Sequence, residues 1–159
     1  MTPVAAILPA AGQGRRMGAN KNKLFLTLND SSILEETLRK LISHPQICHI
    51  YLVYAQEDQE FLNFFSTLPD LTLVLGGLRR QDSVAAALAQ IQTDRLVQNI
   101  IVHDAARPLC STTLISRVIR ALEHYQAVIP VIPLTDTIRQ INGDQVKLVN
   151  RQKYVATQT

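Results

Sequence analysis

Within its first twenty residues the chain turns from an apolar run into a glycine-rich, doubly basic loop, Leu8-Pro-Ala-Ala-Gly-Gln-Gly-Arg-Arg-Met-Gly18. Gly12 and Gly14 permit close backbone approach that side chains forbid. Arg15, Arg16, Lys21 and Lys23 follow. The loop can therefore offer backbone N–H groups and several cations to one polyanion, which suits a nucleoside triphosphate. The glycines stand at 12, 14 and 18, so neither G-x-G-x-x-G nor a closing G-K-[ST] is present. A glycine turn with solvated arginines is the plainer alternative. A second loop, Gly76-Gly-Leu-Arg-Arg-Gln-Asp-Ser-Val84, leads through two arginines into a helical pattern. Gly77 could bring a carbonyl against a ligand and Ser83 could reach it with a hydroxyl; alternatively Asp82 or Ser83 only caps the helix. In the third, His103-Asp-Ala-Ala-Arg-Pro108, Asp104 directly follows an apolar strand. It suits a Mg²⁺–phosphate complex or a ribose hydroxyl, or else a structural ion pair with Arg107. His103 reads as packed or hydrogen-bonded rather than catalytic.

These loops must be held by alternating strands and helices. Val4–Leu8, His49–Tyr54, Leu71–Leu75, Asn99–Val102 and Ala127–Ile132 read as strands. Ser32 to Ser43 reads as a helix with a Ser32/Glu35 capping box, followed by helices at Glu57 to Ser66, Asp82 to Ile91, and Thr112 to His124 capped by Thr112 or Thr113. The alternation predicts an α/β, Rossmann-like, mostly parallel doubly wound sheet, whose ligands bind beyond the carboxyl ends of the strands. Thr137–Ile141 and Val146–Val149 around Asn142-Gly143-Asp144 predict a β-hairpin, so residues 134–154 form a protruding arm on a single domain spanning 1–159. An isolated hairpin seeks a partner or folds back on its own domain.

Composition narrows the function classes. Of 159 residues, 47% are hydrophobic and 18% charged, which is ordinary for a globular domain. The net charge of +3, with four Tyr, four Phe and no Trp, gives no stacking platform or long basic run for nucleic acid. Cys48 and Cys110 lack metal spacing and are expected as reduced thiols, with Cys48 in the core. No apolar run approaches membrane-spanning length, and a strand at residue 4 leaves no room for a signal peptide, so a cytoplasmic protein is expected.

Four motifs in order resemble those of the 2-C-methylerythritol 4-phosphate cytidylyltransferases of the non-mevalonate isoprenoid pathway. They are Leu8-Pro-Ala-Ala-Gly-x-Gly-x-Arg-Met17; Gly76-Gly77 with Arg80 and Asp82-Ser83-Val84; His103-Asp-Ala-Ala-Arg-Pro108; and Asp136-Thr-Ile with Asn150-Arg151 and Thr157-Gln158. The alanine-rich third motif favours this family over the ribitol-phosphate cytidylyltransferases. The resemblance implies transfer of CMP from CTP to a sugar-alcohol phosphate, with Mg²⁺ required and pyrophosphate released. By motif position Arg16 and Lys23 match the family's catalytic cations, and Ala10, Ala11, Gly12 and Gly14 its backbone cradle. Gly77 and Ser83 match the cytosine-reading pair, and Asp104 and Ala105 the ribose and metal side. Arg107, Thr137 and Arg151 fall on the substrate side, the last two supplied from the arm of a neighbouring subunit in a homodimer. Two departures stand out. The family usually has Pro-Lys-Gln where this chain has Asn22-Lys23-Leu24, so a less preorganised lysine is expected. The family chain also continues past Thr-Gln-Thr with more helix and strand and a further substrate-side lysine, so an incomplete C-terminal part is expected.

Overall fold

The computed structural model describes residues 3–12, 22–28, 30–62, 65–92 and 97–158. In chain order its strands are β1 (Val4–Pro9), β2 (Thr27–Leu28), β3 (Ser31–Ser32), β4 (Ile47–Tyr54), β5 (Leu71–Leu75), β6 (Asn99–Val102), β7 (Val131–Pro133), β8 (Ile138–Asn142), β9 (Gln145–Val149) and β10 (Val155–Thr157). The α-helices are α1 (Ile33–Ile42), α2 (Gln59–Leu62), α3 (Arg80–Ile91) and α4 (Thr112–Ala121).

Every residue from Val4 to Leu8 is fully buried. Successive side chains of a strand face opposite ways, so a strand with no exposed residue needs a layer on each side. Val4, Ala6 and Leu8 pack with Leu34, Leu38 and Leu41 of α1 and with Ile115 and Ile119 of α4. Ala5 and Ile7 pack on the opposite face with Ala87 and Ile91 of α3. The sheet between these layers is parallel, in the order β5-β4-β1-β6. From β1 the chain runs outward through β4 to β5, then returns along α3 to β6 on the other side of β1. This reversal makes the switch point of a doubly wound α/β fold, which the sequence predicted.

The α1 capping box forms as expected: the Ser32 N–H donates to Glu35 Oε2 at 2.6 Å, and the Glu35 N–H donates to Ser32 Oγ at 3.2 Å. The Ser32 N–H first, and the Ser32 hydroxyl after it, hold the Glu35 carboxyl below the usual carboxylate range.

Other expectations need correcting. Ala127–Ile132 does not join the parallel sheet. Only Val131–Pro133 is a strand, and it pairs antiparallel with β10. Pro130 and Pro133 lack the N–H groups that an inner strand must donate. The expected Glu57–Ser66 helix shrinks to four-residue α2 between 3-10 turns at Gln56–Asp58 and Phe65–Thr67. Its buried anchors, Leu62 and Phe65, are three residues apart, which suits the tighter winding. Helix α3 starts at Arg80 with Arg79 at the N-cap, so neither Asp82 nor Ser83 is the N-cap residue; Asp82 closes the cap from the third helical position by accepting from the Arg79 N–H. Helix α4 is capped by Ser111, whose Oγ accepts from the Leu114 N–H at 3.1 Å. Cys48 is exposed, not core. Val4 pairs with Ile47 and Ala5 with His49, which leaves Cys48 as the extra residue of a β-bulge. The hairpin forms one residue away from expectation, with Asn142 opposite Gln145. Gly143 turns it at φ +58°, and Asp144 has no positive φ, the pattern of a type II′ turn.

Candidate active site

The sheet brings the carboxyl ends of β1, β5 and β6 to one edge, and the three loops singled out by sequence leave from there. The first is anchored by the Ala10 N–H, which donates to the Val53 carbonyl at 2.7 Å, so Ala10 is buried as the chain turns away. Gly14, Arg15, Arg16 and Lys21 lie outside the described residues. Lys23 begins a 3-10 turn over Lys23–Phe25. Asn22 caps that turn by accepting from the Leu24 N–H at 3.2 Å, and its amide donates to Asp58 Oδ2 at 2.7 Å. Its φ of −58° lies where proline would hold it, and Leu24 is buried in the core. The backbone on either side of Lys23 is therefore held, by the bonds of Asn22 and by buried Leu24.

The second loop touches the first. A Cβ added to Gly76 would lie 2.7 Å from Ala11 Cβ, 2.8 Å from Ser83 Oγ and 3.1 Å from the Tyr54 carbonyl oxygen. Only glycine fits between them. Ser83 is 2% exposed, and its Oγ accepts from the Gly77 N–H at 3.3 Å, so it shapes the glycine pair while its own proton stays available for donation. Asp82, in the first turn of α3, accepts from the Arg79 N–H at 3.2 Å and from the Arg79 guanidinium at 3.1 and 2.8 Å. That guanidinium holds the Asp82 carboxyl below its ordinary range.

The third loop continues the pairing of β6 with β1 through the His103 N–H, which donates to the Ile7 carbonyl at 2.9 Å. Asp104 is gripped from two sides. Arg80 Nη2 donates to Oδ1 at 2.6 Å and Arg107 Nε donates to Oδ2 at 3.2 Å. The ion pair weighed as an alternative role for Asp104 is thus present, joined by a second arginine. Arg107 also donates through Nη1 to Gln158 Oε1 at 3.1 Å, which ties the loop to the residue after β10. Ala105 is buried, and its carbonyl lies 2.9 Å from the Thr37 hydroxyl of α1. His103 Nε2 donates to the Arg107 carbonyl at 3.2 Å, and burial pushes the imidazole pKa down. A neutral, hydrogen-bonded ring agrees with a packing role.

Among the described residues no three His, Cys, Asp or Glu side chains cluster as a metal cage. A lone carboxylate fits Mg²⁺ in one setting, when the ion arrives with nucleotide phosphates that complete its oxygen shell. Asp104 is the carboxylate at this edge that such an ion would meet, and it already accepts from Arg80 and Arg107. Thr137 and Arg151 stand apart at the base of the arm, both exposed, with Arg151 Nη1 donating to the Thr135 carbonyl. Thr37, and the contacts made by Gly76, Asn22 and Arg80, were not foreseen from sequence. Gly76 had a signal in the glycine pair, whereas the other partners are distant in the chain.

Comparison with known proteins gives the family and the fold. The family model described as IspD, 2-C-methyl-D-erythritol 4-phosphate cytidylyltransferase, matches residues 4–159. A protein of that name from Bacillus thuringiensis (strain Al Hakam) is 38% identical over 158 residues, 96% of this chain and 69% of the relative. One from Vibrio cholerae is 38% identical over 151 residues, 94% of this chain and 64% of the relative. Among solved structures, 4-diphosphocytidyl-2C-methyl-D-erythritol synthase from Anaerococcus prevotii superposes with a TM-score of 0.85 at 27% identity, over 99% of this chain and 68% of that one. The Francisella tularensis 2-C-methyl-D-erythritol 4-phosphate cytidylyltransferase gives 0.79 at 29% identity, over 99% and 70%. The chain belongs to the IspD family of 2-C-methyl-D-erythritol 4-phosphate cytidylyltransferases.

Proposed function

We propose that this chain transfers CMP from CTP to 2-C-methyl-D-erythritol 4-phosphate and releases pyrophosphate. The observation that carries the reading is the meeting of three loops at one sheet edge, with Gly76 wedged between Ala11 and Ser83 and Asp104 bound to Arg80 of the second loop. A phosphate oxygen of the sugar alcohol attacks the α-phosphorus of CTP. That bond forms as the bond to the oxygen bridging towards the β-phosphorus breaks. Phosphorus passes between oxygens, so the protein's tasks are positioning and neutralising charge.

In this reading the backbone of Ala10, Ala11, Gly12 and Gly14 cradles the triphosphate. Lys23 and Arg16 neutralise charge at the α-phosphate and the departing pyrophosphate. The Gly77 carbonyl accepts from the cytosine amine while Ser83 donates to the ring edge, and Ala105 lies beside the ribose. Asp104 would hold Mg²⁺, which supplies positive charge to the phosphates. Arg107 serves the substrate side, and Thr137 and Arg151 serve a second subunit's sugar phosphate when residues 134–154 cross a homodimer. Residues 1–159 act as one nucleotidyltransferase unit, in the cytoplasm. Among the described residues no helix is long and apolar enough to cross a membrane.

A pyrophosphate-release assay tests this. CTP with methylerythritol phosphate should give pyrophosphate, while UTP, or ribitol phosphate as acceptor, gives far less. Lys23→Ala should lower kcat on the order of a hundredfold with a smaller change in CTP affinity, as expected where charge develops in the transition state. Arg79→Ala, which loses only its exposed pair with Asp82, should be nearly silent. Equal damage from both substitutions would overturn the assignment of Lys23.

A further inference from the structure

The base-reading loop and the Asp104 loop are joined by one charged contact between residues 24 apart in sequence. Arg80 opens α3, where its own backbone is fixed. Arg79 precedes it with its backbone N–H bound to Asp82, and three residues later Ser83 accepts from the Gly77 N–H. From this fixed origin the Arg80 guanidinium crosses to Asp104 Oδ1, while Arg107 takes Oδ2 from within the Asp104 loop. Two donors on different oxygens set the carboxylate plane. Losing the donor on Oδ1 weakens that restraint on χ2. Both arginines are about half exposed, at 55% and 44%, against 29% for Asp104. Such pairs add little to fold stability, because solvent screens them. They do fix direction, because a carboxylate held at both oxygens is restrained about χ2.

We propose that Arg80 is a positioning residue for Asp104: it orients the carboxylate for a divalent cation carried by the nucleotide, and does so from the helix that shapes the cytosine-reading loop. The proposal rests on the reading of Asp104 as the metal-side carboxylate. Two effects of Arg80 oppose each other. Its positive charge competes with a cation for the carboxylate, and its hydrogen bond orders the same group. The exposed charge is screened, whereas removing an outer partner of a ligating carboxylate typically costs about 10–100-fold in metal affinity. Orientation therefore prevails.

The test is Mg²⁺-dependent CTP binding, followed by calorimetry without acceptor on the wild type, Arg80→Gln, Arg80→Lys, Asp104→Asn and the double variant. Arg80→Gln should raise the Mg²⁺ concentration needed for half-maximal CTP binding about tenfold, with the thermal midpoint within a degree or two of wild type. Arg80→Lys should recover part of this loss, since one ammonium donor can reach one oxygen. In the Asp104→Asn background Arg80→Gln should add nothing. An unchanged Mg²⁺ requirement in Arg80→Gln, or an equal loss in both backgrounds, would overturn the role of Arg80. If Asp104→Asn itself leaves the Mg²⁺ requirement unchanged, the reading of Asp104 fails instead.

Discussion

Gly12 and Gly76 are both glycines of the candidate nucleotide site, and the structure separates what each does. Gly76 has Ala11, Ser83 and the Tyr54 carbonyl within 3.1 Å of where a Cβ would stand, and its N–H donates to that same carbonyl at 2.8 Å. A methyl there must push apart two loops and the β4–β5 pairing. Around Gly12 no described residue lies within 4 Å of that position. A methyl at Gly12 therefore meets no clash among the described residues. Gly76→Ala should therefore lower the thermal midpoint by several degrees, as overpacking costing ~1–3 kcal/mol would do, and weaken CTP binding with it. Gly12→Ala should leave the midpoint unchanged and weaken CTP binding alone. Thermal melts beside calorimetry check both, and a Gly12→Ala protein that binds CTP like wild type would remove Gly12 from the phosphate cradle. The same contrast shows what sequence can and cannot give at this scale. The glycine pair at 76–77 was visible as a motif, but what jams each glycine was not: Gly77 meets Asp82 Cβ at 2.5 Å, five residues on, while Gly76 meets Ala11, which is remote along the chain. Asn22 departs from the proline that the resemblance implies, and its bond to Asp58, 36 residues away, could not be read from the sequence.

At the scale of elements, legibility followed the source of each element's stability. β1, β5 and β6 appear where their apolar runs lie, because burial in a parallel sheet demands continuous hydrophobicity. The α1 capping box is local chemistry and formed as written. Elements that failed were decided by contacts the local pattern does not contain. The prolines of 130–133 exclude an inner strand, and the bulge at Cys48 follows from the pairing of β4 with β1. The corner between α1 and β4 adds a pH dependence. His44 is 2% exposed; its Nδ1 accepts from the Gln46 N–H at 3.3 Å, so Nε2 carries the proton and donates to Ser116 Oγ at 2.9 Å. Burial lowers the His44 pKa from 6.5, and protonation would cost the bond from Gln46. The unfolded chain thus binds protons more readily than the folded one. The contribution of His44 is complete above about pH 6.5 and declines as pH falls below it. Urea midpoints should drop between pH 7.5 and 5.5, and His44→Gln should flatten that drop while lowering stability at pH 7.5. Parallel pH profiles for the two proteins would show that His44 does not carry the effect.

For the whole molecule, the arm decides whether one chain is enough. Pairing of Ile141 with Val146 and of Arg139 with Leu148 puts Ile141, Val146 and Leu148 on one face of the hairpin. Those three side chains are 75%, 57% and 68% exposed. Apolar groups on one face of a two-stranded ribbon are unstable in water without cover. A two-fold dimer in which the arms clasp would cover them, and by symmetry each arm would carry Thr137 and Arg151 to the other subunit. Arg151, now bonded to the Thr135 carbonyl at the arm's base, would then exchange that carbonyl for a sugar phosphate. Light scattering at micromolar concentration should report a dimer, and replacing residues 136–152 with a short Gly/Ser linker should give a monomer. Ile141→Lys with Leu148→Lys should do the same without touching Thr137 or Arg151. Those variants should keep CTP affinity, because the loops at the sheet edge belong to one subunit, and should lose affinity for the sugar phosphate. A monomeric parent chain, or a charged-arm variant that still dimerises, would remove the arm from the interface. It would also leave Arg151 without a second subunit to serve.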